Sequence, residues 1–242
     1  MNHRQMNRDL LISYSLYYRG EYGHIRQAIA HNTPVPAGRA DNALTVFDDA
    51  YPEKLLDLCY PPFVLYYKGD LTLLKEKMIA VVGSRKCCDY AKKATELLAR
   101  KQKDSVIISG LARGIDATAH RYAEKTIGIL GCGIDRAYPS ENARMIAEIG
   151  RQGLILSEYP GTASPLAYHF PFRNRLIAAL ADSVYVMQSE KRSGTMTTVN
   201  EALELGKEIR VLPYSLFEDA GVHNNRLIYE GATPIERDEI AF

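Results

Sequence analysis

Val106-Ile107-Ile108-Ser109-Gly110-Leu111-Ala112-Arg113-Gly114-Ile115-Asp116-Ala117-Thr118-Ala119-His120 holds a strand, a glycine loop and a helix start in one short stretch. The β-branched run at 106–108 predicts a buried strand, Ser109-Gly110 turns the chain, and a helix is expected over 115–125. Gly110 and Gly114 permit unusual backbone angles and close approach of a ligand, while the start of the helix presents unpaired N–H groups to an anion. Arg113 stands at the mouth of this loop, and its planar guanidinium suits bidentate phosphate contact. The same residues also describe a plain strand-to-helix turn with a surface arginine, so the other loops must decide.

The pattern repeats outward from this segment. Apolar strands are expected at 79–82, 105–108, 127–130, 154–156, 184–187 and 209–212, separated by helices at 89–103, 115–125, 140–150, 171–181 and 195–206. Short, continuously apolar strands between amphipathic helices indicate an α/β fold: a doubly wound, mostly parallel Rossmann-like sheet covered on both faces. Met196, Val199, Leu203 and Leu205 form a stripe on the helix at 195–206 that is expected to face this core. Residues 6–31 read as two short helices around Gly20 and Gly23, and the breaker-rich run from His31 to Gly38 reads as a linker. The expected organisation is a small helical N-terminal region over 1–40 and the Rossmann-like unit over 41–242.

In such a sheet ligands bind beyond the carboxyl ends of the strands, which makes the residues after each strand one rim. That rim contains Gly83-Ser84-Arg85, Ser109-Gly110 with Arg113 and Gly114, Gly131-Cys132-Gly133, Ser157-Glu158-Tyr159-Pro160, and Gln188-Ser189-Glu190 leading to Ser193-Gly194-Thr195. Ser193 and Thr195 can cap the following helix or hold a phosphate, since both roles use the same N–H groups. Gly131-Cys132-Gly133 lacks the third glycine and the later acidic residue of a dinucleotide fingerprint, which argues against a nicotinamide cofactor. His169-Phe170-Pro171-Phe172-Arg173-Asn174-Arg175 mixes aromatics with cations and an amide, a combination suited to stacking bases while holding a single-stranded backbone. Lys191 and Arg192 add charge on the neighbouring loop.

Catalytic candidates are few. Asp116 and His120 lie four apart on one helix face and could form an acid/base couple, but they read better as struts that hold the loop in shape. No G-x-S-x-G elbow, H-E-x-x-H pair or Walker A loop occurs, so neither a metal site nor a cofactor is expected. Formal charge is +1 with 24% charged residues, so a polyanion must meet a local basic patch. Cys59, Cys87, Cys88 and Cys132 have no zinc or disulfide spacing, which together with the absence of a signal or membrane-length apolar run points to the cytoplasm.

Taken in order, these segments resemble the DNA processing protein A family, DprA/Smf. The resemblance runs from about residue 44 to 235, through Phe47-Asp48-Asp49-Ala50-Tyr51-Pro52, Pro62-Phe63-Val64-Leu65-Tyr66-Tyr67-Lys68-Gly69, Val82-Gly83-Ser84-Arg85 and Ser109 to Asp116. It continues with Ala119-His120, Tyr138-Pro139, Asn142, Ser157-Glu158-Tyr159-Pro160, Phe170-Pro171, Arg173-Asn174-Arg175, Ser193-Gly194, Asn225, Leu227-Ile228 and Gly231-Ala232. It implies a homodimeric, non-enzymatic protein that binds single-stranded DNA and helps load the RecA recombinase during natural transformation. By position, it implies that Ser84, Arg85, Ser109, Gly110, Arg113, Arg173, Asn174, Arg175, Ser193 and Gly194 line the DNA pocket, with Phe170 as a stacking platform. Departures are Ala91 where relatives usually have glycine, Pro213-Tyr214 in place of Pro-Gly, and an end at Phe242 that leaves out a C-terminal winged helix. The competing enzyme reading is a nucleotide phosphoribohydrolase of the lysine-decarboxylase-like group, but Ser193-Gly194-Thr195 lacks the double glycine of that group's loop.

Overall fold

A computed structural model describes residues 6–240. The helices α1 (Arg8–Tyr17) and α2 (Tyr22–Ala30) precede β1 (Ala43–Thr45) and β2 (Val64–Gly69). There follow β3 (Met78–Gly83), α3 (Asp89–Lys101), β4 (Val106–Ser109), α4 (Ile115–Tyr122), β5 (Thr126–Ile129), α5 (Ala143–Gln152) and β6 (Leu154–Ser157). The chain continues through α6 (His169–Leu180), β7 (Ser183–Gln188), α7 (Gly194–Glu204), β8 (Glu208–Val211), α8 (Val222–Tyr229), β9 (Thr233–Pro234) and α9 (Arg237–Ile240). One sheet results, in the order β1-β2-β6-β5-β4-β3-β7-β8-β9, parallel from β6 through β9 and antiparallel where β2 meets β1 and β6.

Both faces of the sheet are covered, which is why its strands read as unbroken apolar runs. On β3 the side chains alternate: Ala80 and Val82 join a core with Leu176, Ile177 and Val199 of α6 and α7. Ile79 and Val81 join one with Ala94, Leu98 and Ile115 of α3 and α4. The stripe on α7 is only partly inward: Val199 is fully buried and Met196 and Leu205 pack against the core, but Leu203 is 58% exposed.

Several boundaries differ from expectation for local reasons. α4 stops at Tyr122 rather than 125, because Ala123 turns to extended backbone. α5 begins at Ala143 after a 3-10 turn at Ser140–Asn142 and ends at Gln152, with Gly153 as its C-cap. α6 starts two residues early at His169 and keeps Pro171 in its first turn, where a missing N–H costs nothing.

The N-terminal helices lie against the antiparallel edge. Leu11 and Ile12 of α1 pack with Ala43, Val64 and Tyr66, and Tyr66 donates its hydroxyl to Ser15 Oγ at 2.9 Å. At the opposite edge, Tyr214 packs into the structure after β8. It donates to the Met187 carbonyl at 2.9 Å and meets Tyr90 edge-on, at 5.0 Å between centroids. Gly221 makes room for it, since a Cβ there would lie 2.0 Å from that of Tyr214.

Candidate nucleic-acid interface

Strand order reverses between β3 and β7: after β3 the chain moves one way to β4, β5 and β6, then crosses back to β7 and β8. The loops leaving β3 and β7 therefore diverge and open a crevice at the carboxyl ends of the strands. They are tied at their base, with the Ser84 amide donating to the Gln188 carbonyl at 2.8 Å and the Cys88 amide to Gln188 Oε1 at 2.8 Å. The loop after β4 is laid against the same base through the Ile115 amide, which donates to the Ser84 carbonyl at 3.2 Å. Gly114 permits this approach: its φ is +72° and a Cβ would sit 2.3 Å from the Ser84 oxygen.

The rest of that loop is braced from both sides. Leu111 adopts a left-handed φ of 60° with its side chain fully buried, and Asn142 Nδ2 donates to the carbonyls of Leu111 and Ala112 at 2.9 and 3.2 Å. The Ala112 amide donates to Asp116 Oδ2 at 3.3 Å. Burial pushes the Asp116 carboxyl upward from its usual range, opposed by Arg173 and by the loop's own donors. His120 is also buried, but it serves the sheet more than the loop: its Nδ1 lies 2.6 Å from Thr126 Oγ1 on β5. Burial and the Arg173 charge lower the imidazole to about 3.

The crevice is a cleft of about 690 Å³ whose lining includes Ser84, Arg85, Phe170, Arg173, Asn174 and Ser193. A second lobe of about 250 Å³ adjoins it beside Gly110, Arg113 and Tyr138. Arg173 forms the floor, only 4% exposed, with Nη1 donating to the carbonyls of Gly110, at 2.8 Å, and Ile129. Its Nε donates to Asn174 Oδ1 at 3.1 Å, and burial lowers the guanidinium to about 10, still charged at neutral pH. Gly110 is required here for space, since a Cβ would lie 2.6 Å from Arg173 Nη2 and 2.8 Å from Asp116 Oδ2.

Phe170 rests on Gly131, where a Cβ would come within 2.9 Å of its ring, and it faces Tyr138 at 5.4 Å and 40°. Arg85, Lys86 and Arg113 stand exposed around the mouth, and Arg113 is ion-paired with Glu141. On the far wall Ser193 is the N-cap of α7, but its hydroxyl donates to the Glu190 carbonyl at 2.8 Å instead of accepting from the helix. The amides of Gly194 and Thr195 are thereby left uncapped beside the cleft, while that of Met196 donates to the Ser193 carbonyl at 3.1 Å. Asn174 Nδ2 donates to the Gly194 carbonyl at 3.0 Å and locks α6 to that turn. Fixed cations, helix-end N–H groups and two aromatic rings can together hold a phosphate chain and an unstacked base.

Four expected pocket residues lie elsewhere, the first being Gly114, which packs against the backbone of Ser84 and Arg85 and lines neither cavity. Arg175 is one side chain too far round α6 and points into the protein, paired through both terminal nitrogens with Glu158 at 2.6 and 2.7 Å. Its Nε donates to the Tyr60 carbonyl at 3.1 Å, and its guanidinium covers Phe172 at 3.7 Å. Ser109 is fully buried as the last residue of β4 and donates to the Val81 carbonyl at 2.6 Å. Lys191 lines a separate cavity with His223 and Arg226. Conversely, Lys86, Tyr138 and Glu190 line the cleft although they were not singled out for it. Glu141 had no signal in the sequence, because its partner Arg113 is distant along the chain. Among the described residues no three His, Cys, Asp or Glu side chains gather as a metal site, and no helix is long and apolar enough to cross a membrane. Burial raises the Cys132 thiol to about 11.

Known proteins are similar to this chain in both sequence and shape. Residues 42–241 match the family model described as DNA recombination-mediator protein A. The chain is 40% identical to DNA processing protein DprA of Streptococcus pneumoniae, over 78% of this chain and 69% of the relative, and 37% identical to that of Bacillus subtilis, over 83% and 70%. The solved structure of the S. pneumoniae protein superposes with a TM-score of 0.77 at 37% identity, covering 90% of this chain and 76% of that one. DNA processing protein A from Helicobacter pylori, solved for its single-stranded DNA binding mode, superposes with a TM-score of 0.74 at 37% identity, over 80% of this chain and 90% of that one.

Proposed function

The chain belongs to the DNA recombination-mediator protein A family, and from that membership and the shape of its rim we propose that it binds single-stranded DNA in the cleft at the β3/β7 switch point. The observation that carries this reading is the convergence of Arg85, Lys86, Arg113 and Arg173 with the Phe170–Tyr138 ring pair on one cleft. Cations alone would serve any phosphate. Rings aimed into the same space favour a strand whose bases are free to leave the stack, which duplex DNA does not offer.

In this reading Arg173 and the uncapped amides of Gly194 and Thr195 at the start of α7 hold one phosphate deep in the cleft, with Ser84, Gly110 and Ser193 shaping the walls around it. Arg85, Lys86 and Arg113 track the backbone at the mouth, where Arg113 exchanges Glu141 for a phosphate. Lys191 continues the basic track beyond the cleft. Gly114 and Asp116 keep the loop in position, while His120 ties α4 to β5 behind it. The protein processes DNA during transformation as a homodimer that delivers bound strands to the RecA recombinase, without turnover of its own.

Affinity for oligo-dT, matched duplex and a nucleoside monophosphate, measured across salt for the wild type and Arg113→Ala, tests the reading. Single strands should bind tightest, and the variant should lose affinity and about one unit of salt slope. Release of free base from the monophosphate would replace this reading with a phosphoribohydrolase. A mass twice that of the chain in sedimentation and more RecA bound per strand when the protein is added are the expected results for the partners. A monomer, or RecA binding unchanged, would remove the corresponding part.

A further inference from the structure

We infer that the N-terminal helical pair is a brace for the cleft, and that Glu21 is a positioning residue that sets the first turns of α6. This rests on the cleft being the DNA site, because α6 carries Phe170, Arg173 and Asn174 within its first two turns. The start of α6 is poorly provided for by its own sequence. Its N-cap Tyr168 makes no side-chain capping bond, and its first turn holds no acidic residue.

Glu21, the N-cap of α2, brings a carboxylate to the start of α6 and holds it through side chains rather than through backbone amides. Its Oε1 accepts from the Tyr168 hydroxyl at 3.0 Å and from His169 Nε2 at 2.8 Å, so one carboxylate grips the N-cap and the first residue of the helix. His169 is only 2% exposed and lies flat against Tyr159, with ring centroids 3.9 Å apart. The other ring nitrogen, Nδ1, is buried with no partner among the described residues, so Glu21 is the contact that orients the imidazole.

Two neighbouring contacts fix the origin of that carboxylate. Gly20, at φ +79°, lets the turn between α1 and α2 press on the Glu158 backbone, where a Cβ would fall 2.4 Å from the carbonyl oxygen. Glu158 is in turn the partner of Arg175 on α6. Tyr22 stacks on Phe63 at 4.8 Å and 17° and meets Phe172 of α6 at 5.8 Å. Consecutive residues 20, 21 and 22 thus each bear on α6 or its partner, and the N-terminal helices transmit their position to the cleft through them.

Glu21→Ala and Glu21→Gln in the full chain test this, by hydrogen exchange at the amides of Phe172, Arg173 and Asn174 and by oligo-dT affinity across salt, at a temperature where near-UV dichroism shows both variants folded. Exchange at those amides should rise in the alanine variant and stay low elsewhere. Affinity should fall about tenfold or more as Arg173 and Asn174 lose their places. The salt slope should drop by about one, because a phosphate contact is lost rather than active protein. Glutamine keeps an acceptor for Tyr168 and His169 and should restore all three. Unchanged exchange in the alanine variant, a rise spread over the whole chain, or no rescue by glutamine overturns the brace. If the wild type itself ignores oligo-dT, the DNA reading fails while exchange still decides the role of Glu21.

Discussion

Replacing Gly110 with alanine perturbs the cleft floor without removing any charge. The backbone at Gly110 is outside the left-handed region, so alanine meets no dihedral penalty and the whole effect is steric. The added methyl would sit 2.6 Å from Arg173 Nη2, 2.9 Å from its Cζ and 2.8 Å from Asp116 Oδ2. A buried guanidinium held by two carbonyls cannot swing away freely, so overpacking should cost about 1–3 kcal/mol of stability. Displacing Arg173 should also remove one charge-assisted phosphate contact, worth about 1.5–3 kcal/mol, or roughly 10- to 150-fold in affinity. Fluorescence anisotropy with labelled oligo-dT reads the second effect, and denaturant unfolding reads the first. The reasoning is refuted if Gly110→Ala binds as the wild type does while stability falls, because Arg173 would then not be a DNA contact.

Arg175→Ala should behave differently from Arg113→Ala: it strands Glu158 in the interior and should cost about 3–5 kcal/mol in urea unfolding, whereas the exposed Arg113 should cost little stability. Gly114→Ala combines a φ of +72° with a contact 2.3 Å from the Ser84 oxygen, so its melting temperature should fall clearly below that of the wild type. His120 titrates near 3 in the fold against about 6.5 unfolded, so the unfolded chain takes the proton first. Its contribution is fully present above about pH 6.5 and is lost as pH falls toward 3, with a slope of at most about 1.4 kcal/mol per pH unit. His120→Gln should flatten the acid limb of a stability-versus-pH curve, and an unaltered limb would contradict the buried neutral imidazole. Asp116, whose carboxyl is raised, acts in the opposite sense, so the difference between variant and wild type is the quantity to compare.

The central strands were legible because burial on both faces writes itself as continuous Val and Ile runs, as in Val106 to Ile108. β2 was not, since Val64 to Gly69 finds its partner β6 nearly ninety residues away, and its antiparallel sense depends on where the chain returns. The rim followed from strand ends alone. What failed within it was angular: Arg173, Asn174 and Arg175 are consecutive on a helix, and steps of about 100° cannot turn all three to one cleft. Arg173 and Asn174 reach the cleft, and Arg175 takes the opposite direction to Glu158. Ser109 likewise ends a strand and follows the pleat inward. The Glu21 contact with α6 joins residues too far apart along the chain for any local pattern to reveal.

The most direct measurement of the central claim is a hydrogen-exchange footprint of oligo-dT on the full chain. Protection is expected together at 84–86, 110–114, 170–174 and 193–195, the four segments that meet at the switch point. Binding with protection confined to other segments would contradict the cleft as the site of single-stranded DNA.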